Sequence, residues 1–142
     1  MKILSLLIFT ATLLLSGAVF SQDFAKRQKL ESNLANIIYC KEYVLEDAAV
    51  KPKLNESAFQ LCDSAYENFT NAIRENMSEI ALGETERYAR VLLDATYKSM
   101  GEEKMYMKDF SKFPAEIKEK ELPRCLNICN HFAELKEAPA AN

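Results

Sequence analysis

The sequence contains no tryptophan, one histidine, three glycines and four prolines in 142 residues. A β-sandwich or β-barrel needs many turns, and turns are rich in glycine and proline. Their scarcity argues against those folds. A formal net charge of −3 provides no basic surface for nucleic acid, so we expect no nucleic-acid partner. The hydrophobic fraction of 49% is too high for a disordered chain, and the length suits one domain.

The N-terminal segment has the layout of a secretory signal peptide. Lys2 precedes an apolar run from Ile3 to Leu15, and Val19 and Ser21 suit the positions before a cleavage site. A membrane anchor is the alternative, but the apolar run is shorter than the roughly 20 residues that span a bilayer. We therefore expect a secreted, extracellular protein with no membrane span after cleavage. The predicted divisions are a signal peptide at 1–21, a helical bundle domain at 22–136 and a flexible tail at 137–142.

Four cysteines remain after cleavage: Cys40, Cys62, Cys125 and Cys129. An even number in a small secreted chain indicates disulfide bonds. Cys125 and Cys129 lie one helical turn apart, with side chains nearly parallel, so each should bond a cysteine on another helix. Two pairings stay open, 40–125 with 62–129 or 40–129 with 62–125. Zinc would need a second closely spaced pair, so we expect neither a metal nor another cofactor.

Apolar residues at helical spacing predict the first two helices. The first helix should extend from Asp23 to Ala49, with Pro52 ending it. The second should begin after an N-cap at Asn55, end near Leu82 and have Gly83 just beyond its C-terminus. Its predicted buried face includes Ala58, Leu61, Cys62, Ala65, Tyr66, Phe69, Ala72, Ile73, Met77 and Ile80.

The rest of the chain predicts two or three further helices and shows no convincing strand signal. Thr85 should cap a third helix whose inner face includes Tyr88, Val91 and Leu92. Proline predicts two later boundaries, with a short helix beginning at Pro114 and a last helix from Pro123 to Leu135. Together these elements predict an all-α, disulfide-stapled bundle of four to five helices.

No catalytic motif is apparent, so we expect that the protein is not an enzyme. The single histidine, His131, should point about 160° away from the cysteine-bearing face of its helix and into solvent. The sequence contains no nucleophile elbow, phosphate-binding loop or paired-histidine metal motif. Because all four cysteines are expected to be bonded, none is left as a nucleophile.

Three sequons, at Asn55, Asn68 and Asn76, are possible glycosylation sites. Asn55 in a loop and Asn68 at the edge of an apolar face are the predicted sites. Asn76 should lie within the apolar face, where a glycan would not fit.

One cluster of methionine and aromatic residues is not assigned to any helix face. It contains Met100, Met105, Tyr106, Met107 and Phe110. A loosely packed corner is the simpler interpretation, and an interaction patch is the functional one. The function that we predict is that of a binding module for an unknown extracellular protein or cell-surface partner. The alternative is a carrier that holds a small apolar ligand between its helices.

Overall fold

The computed structural model describes residues 23–94, 96–100 and 103–134, with side chains described for 23–94 and 105–134. The predicted signal peptide at 1–21 and the predicted tail at 137–142 lie outside these ranges. The chain falls into two compact units, and the boundary lies between Leu30 and Glu31. In the first unit, residues 23–30 are helical and largely exposed. The second unit contains every other element described below.

The second unit begins with helix α1, residues 31–38, which continues into a π-helical turn at Tyr39–Val44. Leu34, Ile37, Ile38 and Tyr39 are fully buried along this segment. Helical geometry ends at Val44, before the predicted end at Ala49, and Pro52 lies in a separate 3₁₀ turn, Lys51–Lys53.

Helix α2 spans Glu56–Asn76, and its N-cap is Asn55, as predicted. The Asn55 side chain accepts a hydrogen bond from the Ala58 amide at 3.3 Å. The predicted end near Leu82 is wrong, because the backbone leaves the helical region at Met77, with φ −124° and ψ −87°. Ser78 is extended and starts a new helix.

Helix α3 spans Glu79–Leu93 and is capped by Ser78, whose hydroxyl accepts a hydrogen bond from the Ala81 amide at 3.0 Å. Two predictions fail here. Gly83 lies inside α3 and does not follow a helix end, and Thr85 is an interior residue whose hydroxyl donates to the Ala81 carbonyl at 2.8 Å. Serine is favoured at the N-cap of a helix and less favoured in a helix interior. This preference explains why a new helix starts at Ser78.

A two-stranded antiparallel hairpin follows α3, where no strand was expected. Strand β1 is Thr96–Met100 and strand β2 is Glu103–Tyr106, with an irregularity in register between Thr96 and Lys98. Met100 pairs with Glu103, so two residues, Gly-Glu, connect the strands. Glycine at the first position of a two-residue connection is a hairpin signal that the helical interpretation overlooked.

After a 3₁₀ segment at Met107–Lys112, helix α4 spans Ala115–Ala133 as one continuous helix. The predicted break at Leu122 and Pro123 is therefore wrong. Pro123 is exposed on the outer side, whereas Glu121 and Cys125 are buried on the inner side. A proline removes one helical hydrogen bond. Here the residues two positions before and after Pro123, Glu121 and Cys125, are both buried, and their packing holds the helix together across the proline.

Two disulfides connect these helices and resolve the pairing that the spacing left open. Cys40 bonds Cys125 with a Cα–Cα distance of 5.2 Å, and Cys62 bonds Cys129 with a Cα–Cα distance of 4.8 Å. All four cysteines are fully buried. The fold is thus an all-α bundle stapled by disulfides, as predicted, with one short hairpin inserted between α3 and α4.

Buried polar side chains add specific contacts to the apolar core. The Tyr39 hydroxyl donates to Glu121 at 3.0 Å, and the Arg124 guanidinium donates to the same carboxylate at 3.0 Å. The Lys118 ammonium lies 2.9 Å from the Asp47 carboxylate, with side-chain exposures of 13% and 3%. Among the described residues, none belongs to a helix that is both long and apolar enough to cross a bilayer.

Candidate interaction surface

Helix α3 has one face in the core and an opposite face that exposes two large aliphatic side chains. The inner face consists of Leu82, Thr85, Ala89 and Leu93, all at most 5% exposed. At about 100° per residue, Ile80 and Val91 lie within about 20° of each other on the opposite side. Their exposures are 78% and 59%. Single exposed aliphatic side chains are common on protein surfaces, so these two mark a candidate binding surface only because they share one face of an ordered helix.

The same face carries two charged residues between its apolar ends. Glu84 and Arg87 lie between Ile80 and Val91 in sequence and about 20° to either side of them in angle, and both are exposed. We call Ile80, Glu84, Arg87 and Val91 the outer stripe of α3. Tyr88, 43% exposed, flanks this stripe, and the Arg87 guanidinium carbon lies 4.7 Å from the centre of its ring. This cation–π contact holds the Arg87 side chain along the helix surface.

The other charged groups of α3 hold the helix against the bundle. The Arg90 guanidinium donates to both carboxylate oxygens of Glu42, each at 3.1 Å, and lies 3.5 Å from Glu86. The hydrogen bond to Glu42 is the main cause that raises the pKa of Arg90. Arg74 pairs with Glu79 at the start of the helix, and Lys108 lies 2.8 Å from Asp94 just beyond its end.

Tyr66 on α2 also contacts this set of charges. Its hydroxyl donates to Glu86 at 3.0 Å. Burial is the main cause that raises the pKa of Tyr66, and the hydrogen bond to the Glu86 carboxylate raises it further, because both favour the neutral phenol. Tyr66 therefore stays a hydrogen-bond donor to α3 throughout the physiological pH range.

The predicted patch of methionine and aromatic residues does not form one exposed surface. Phe110 is fully buried, with its ring 5.8 Å from Tyr39 and 5.2 Å from Phe113 between centroids. Met105, Tyr106 and Met107 are half-buried. The side chain of Met100 lies outside the described ones. Phe110 thus serves the core, and the half-buried residues fit the corner interpretation better than a patch.

The asparagines of all three sequons are exposed. Asn55 and Asn68 are exposed, and the Asn68 amide donates to the Ala133 carbonyl at 2.9 Å. Asn76 was expected inside the apolar face, but it is exposed because the last turn of α2 extends past the core. Its amide donates to the Ala72 carbonyl at 2.8 Å.

A pocket of about 320 Å³ lies between the π-helical turn and the first half of α2. Four of its lining residues are charged, and the other two are Leu45 and Phe59.

The described part of the chain contains no group of three or more residues suited to hold a metal ion. His131 is exposed, as predicted, with its ring edge-on to Phe132.

The outer stripe of α3 was not anticipated from the sequence. Met77 and Ile80 were assigned to the buried face of α2, and Tyr88 and Val91 to the inner face of the third helix. All four are exposed, Met77 by 56%. The helix boundary at Ser78 changes the phase, and an apolar residue alone does not show which side of a helix is buried.

No known family model, no curated protein and no solved structure matches this chain.

Proposed function

We propose that the protein is exported and acts outside the cell as a binding module, with the outer stripe of α3 as its binding surface. The observation that carries this proposal is the exposure of Ile80 and Val91, 78% and 59%, on a helix whose other face is fixed in the core. Two buried disulfides favour folding in an oxidising compartment. The signal-peptide pattern at 1–21 supports export.

The surrounding chemistry favours binding rather than catalysis. The stripe combines two aliphatic side chains with an arginine, a residue type that is enriched at protein–protein interfaces. The Arg90–Glu42 ion pair and the hydrogen bond from Tyr66 to Glu86 connect α3 to the bundle, so the stripe is preorganised. Glycans at Asn55 and Asn68 would suit an extracellular protein, and both side chains are exposed.

The test uses the full chain expressed in a eukaryotic host and recovered from the medium. After enzymatic removal of glycans, it is presented to a panel of purified extracellular ectodomains and to itself, and binding is measured by surface plasmon resonance. We expect saturable binding that Ile80→Glu abolishes. Phe24→Glu is the matched control, because Phe24 is another exposed large apolar residue, 56% exposed, outside the stripe.

Three results would contradict the proposal. The protein could be retained in the cell, which removes the extracellular role. Saturable binding could be absent for every ectodomain and for the protein itself. Binding could also survive Ile80→Glu unchanged, which would place the surface elsewhere.

A further inference from the structure

We propose that the outer stripe of α3 pairs with the outer stripe of a second copy of this chain, with the two helices antiparallel and related by a two-fold axis. The inference rests on the proposed function, since it names the partner of the same surface. It follows from the order of residues in the stripe, from the ion pairs of α3 and from the space around Gly83.

The spacing of the stripe is that of a helix–helix seam. Ile80, Glu84, Arg87 and Val91 are separated by four, three and four residues. Alternating steps of three and four residues keep side chains on one line when two helices pack at a shallow angle. At 1.5 Å per residue the seam is about 16 Å long. The spacing is also symmetrical about its midpoint, as a two-fold interface requires.

The charges select the antiparallel direction. Read from either end, the stripe has an apolar residue, two opposite charges and an apolar residue. When one helix is reversed about the midpoint, Glu84 faces Arg87 of the second copy, and Ile80 faces its Val91. A parallel pair in register would instead bring the two Glu84 side chains together and the two Arg87 side chains together. Like charges placed in contact oppose association.

Among the described residues, the two charges of the stripe are also the ones on α3 that form no ion pair, although the Arg87 guanidinium contacts the Tyr88 ring. Within the described residues, Glu79, Glu86 and Arg90 form ion pairs with Arg74, Arg90 and Glu42, respectively. No ion pair in the same part of the chain includes Glu84 or Arg87, although both are exposed on the same helix. An antiparallel second copy provides a partner for each.

Gly83, which flanks the stripe, is consistent with close approach. A Cβ atom placed on Gly83 would meet nothing within 4 Å, so packing inside the chain does not require glycine there. Glycine in a helix interior is nevertheless unfavourable relative to alanine. The missing side chain leaves room beside the seam for the long Arg87 side chain of the second copy.

The experiment is sedimentation velocity of the secreted, deglycosylated full chain over a dilution series from about 1 to 300 μM. Deglycosylation matters because the sequon that begins at Asn76 lies just before Ile80, the first residue of the stripe. We expect a reversible monomer–dimer equilibrium. Glu84→Arg alone and Arg87→Glu alone should each weaken dimerisation by roughly tenfold or more, because each creates two like-charge contacts.

Mixing the two single variants gives the decisive result. In a mixed dimer, both layers again pair an acid with a base, so the mixture should dimerise although each variant alone is weakened. The double variant Glu84→Arg with Arg87→Glu should dimerise like the original chain. Glu116→Arg, in an exposed ion pair on α4 with 80% side-chain exposure, is the matched control and should leave dimerisation unchanged.

The self-pairing is overturned if the original chain stays monomeric over the series, if either single variant dimerises like the original, or if mixing restores nothing. The proposed function can fail separately. A monomeric chain that binds an ectodomain through Ile80 leaves the binding function standing without the self-pairing. Saturable self-binding that Ile80→Glu leaves unchanged refutes the binding surface as well as the pairing.

Discussion

At the scale of single residues, the buried ion pair between Asp47 and Lys118 links the turn after α1 to α4. The Lys118 ammonium also donates to the Ser111 carbonyl at 2.8 Å, and Asp47 accepts from the Ala49 amide at 3.0 Å. Both charges thus have hydrogen-bond partners, and the Asp47 carboxylate is almost fully shielded from water. Removing one member of such a pair leaves the other buried and uncompensated, which is more costly than losing a surface pair.

Lys118→Met tests this pair. We expect the free energy of unfolding to fall by about 3 kcal/mol, because Asp47 would remain buried without its cation. Lys120→Met is the matched control on the same helix, since Lys120 pairs with Glu116 at 74% and 80% exposure. Its effect should stay within about 0.5 kcal/mol. Urea unfolding followed by circular dichroism measures both, and equal effects would contradict the buried pair.

Some of the contacts made by single residues could be predicted from residue chemistry alone. Serine, asparagine and cysteine have strong local preferences, and the Asn55 cap and the involvement of all four cysteines in disulfides were predicted from them. The partner of Lys118 was not, because Asp47 is 71 residues away in the sequence and only the packing of α4 brings the two together.

At the scale of elements, the boundary between α2 and α3 determines which residues are exposed. Ile73, Met77 and Ile80 continue one helical period across the boundary, so the periodicity did not reveal the break. The Ser78 cap competes with that continuation and ends the first period. The hydrophobic pattern therefore predicted the buried face of α2 up to Ile73 but misplaced the inner face of α3, and the exposed stripe remained hidden.

Gly83→Ala distinguishes the two boundaries by the sign of its effect. Inside α3, with nothing within 4 Å of the new Cβ, alanine should raise the free energy of unfolding by about 0.5–1 kcal/mol. If Gly83 instead followed a helix end with positive φ, alanine would lower it. Thermal and urea unfolding of the secreted protein give the sign, at a concentration below the dimerisation range so that the proposed seam beside Gly83 is open. Ser78→Ala should lower the same quantity by about 1 kcal/mol as the cap is lost.

At the scale of the whole molecule, the two disulfides connect α4 to the π-helical turn that follows α1 and to α2. The spacing of Cys125 and Cys129 on one helix predicted that each bonds a different helix. It could not select the pairing, because the choice depends on the direction in which α4 packs. In the structure, Cys125 meets the π-helical turn and Cys129 meets α2.

Counting free thiols in double variants tests this pairing. Cys40→Ala with Cys125→Ala removes one whole disulfide, so we expect no free thiol in the folded, secreted protein. Cys40→Ala with Cys129→Ala takes one cysteine from each bond and should leave two reactive thiols after denaturation. Each measurement uses a thiol-specific reagent with mass spectrometry. The opposite assignment of thiols would show that the crossed pairing is correct.

The proposed interface between the outer stripes of two copies is tested most directly by carbene footprinting over a concentration series. Labelling of Ile80 and Val91 should fall as the concentration rises through the dimerisation range, because the seam closes over both. Exposed residues of α4, such as Glu116 and Lys120, should keep constant labelling. Constant labelling of Ile80 and Val91 from the lowest to the highest concentration would contradict the interface.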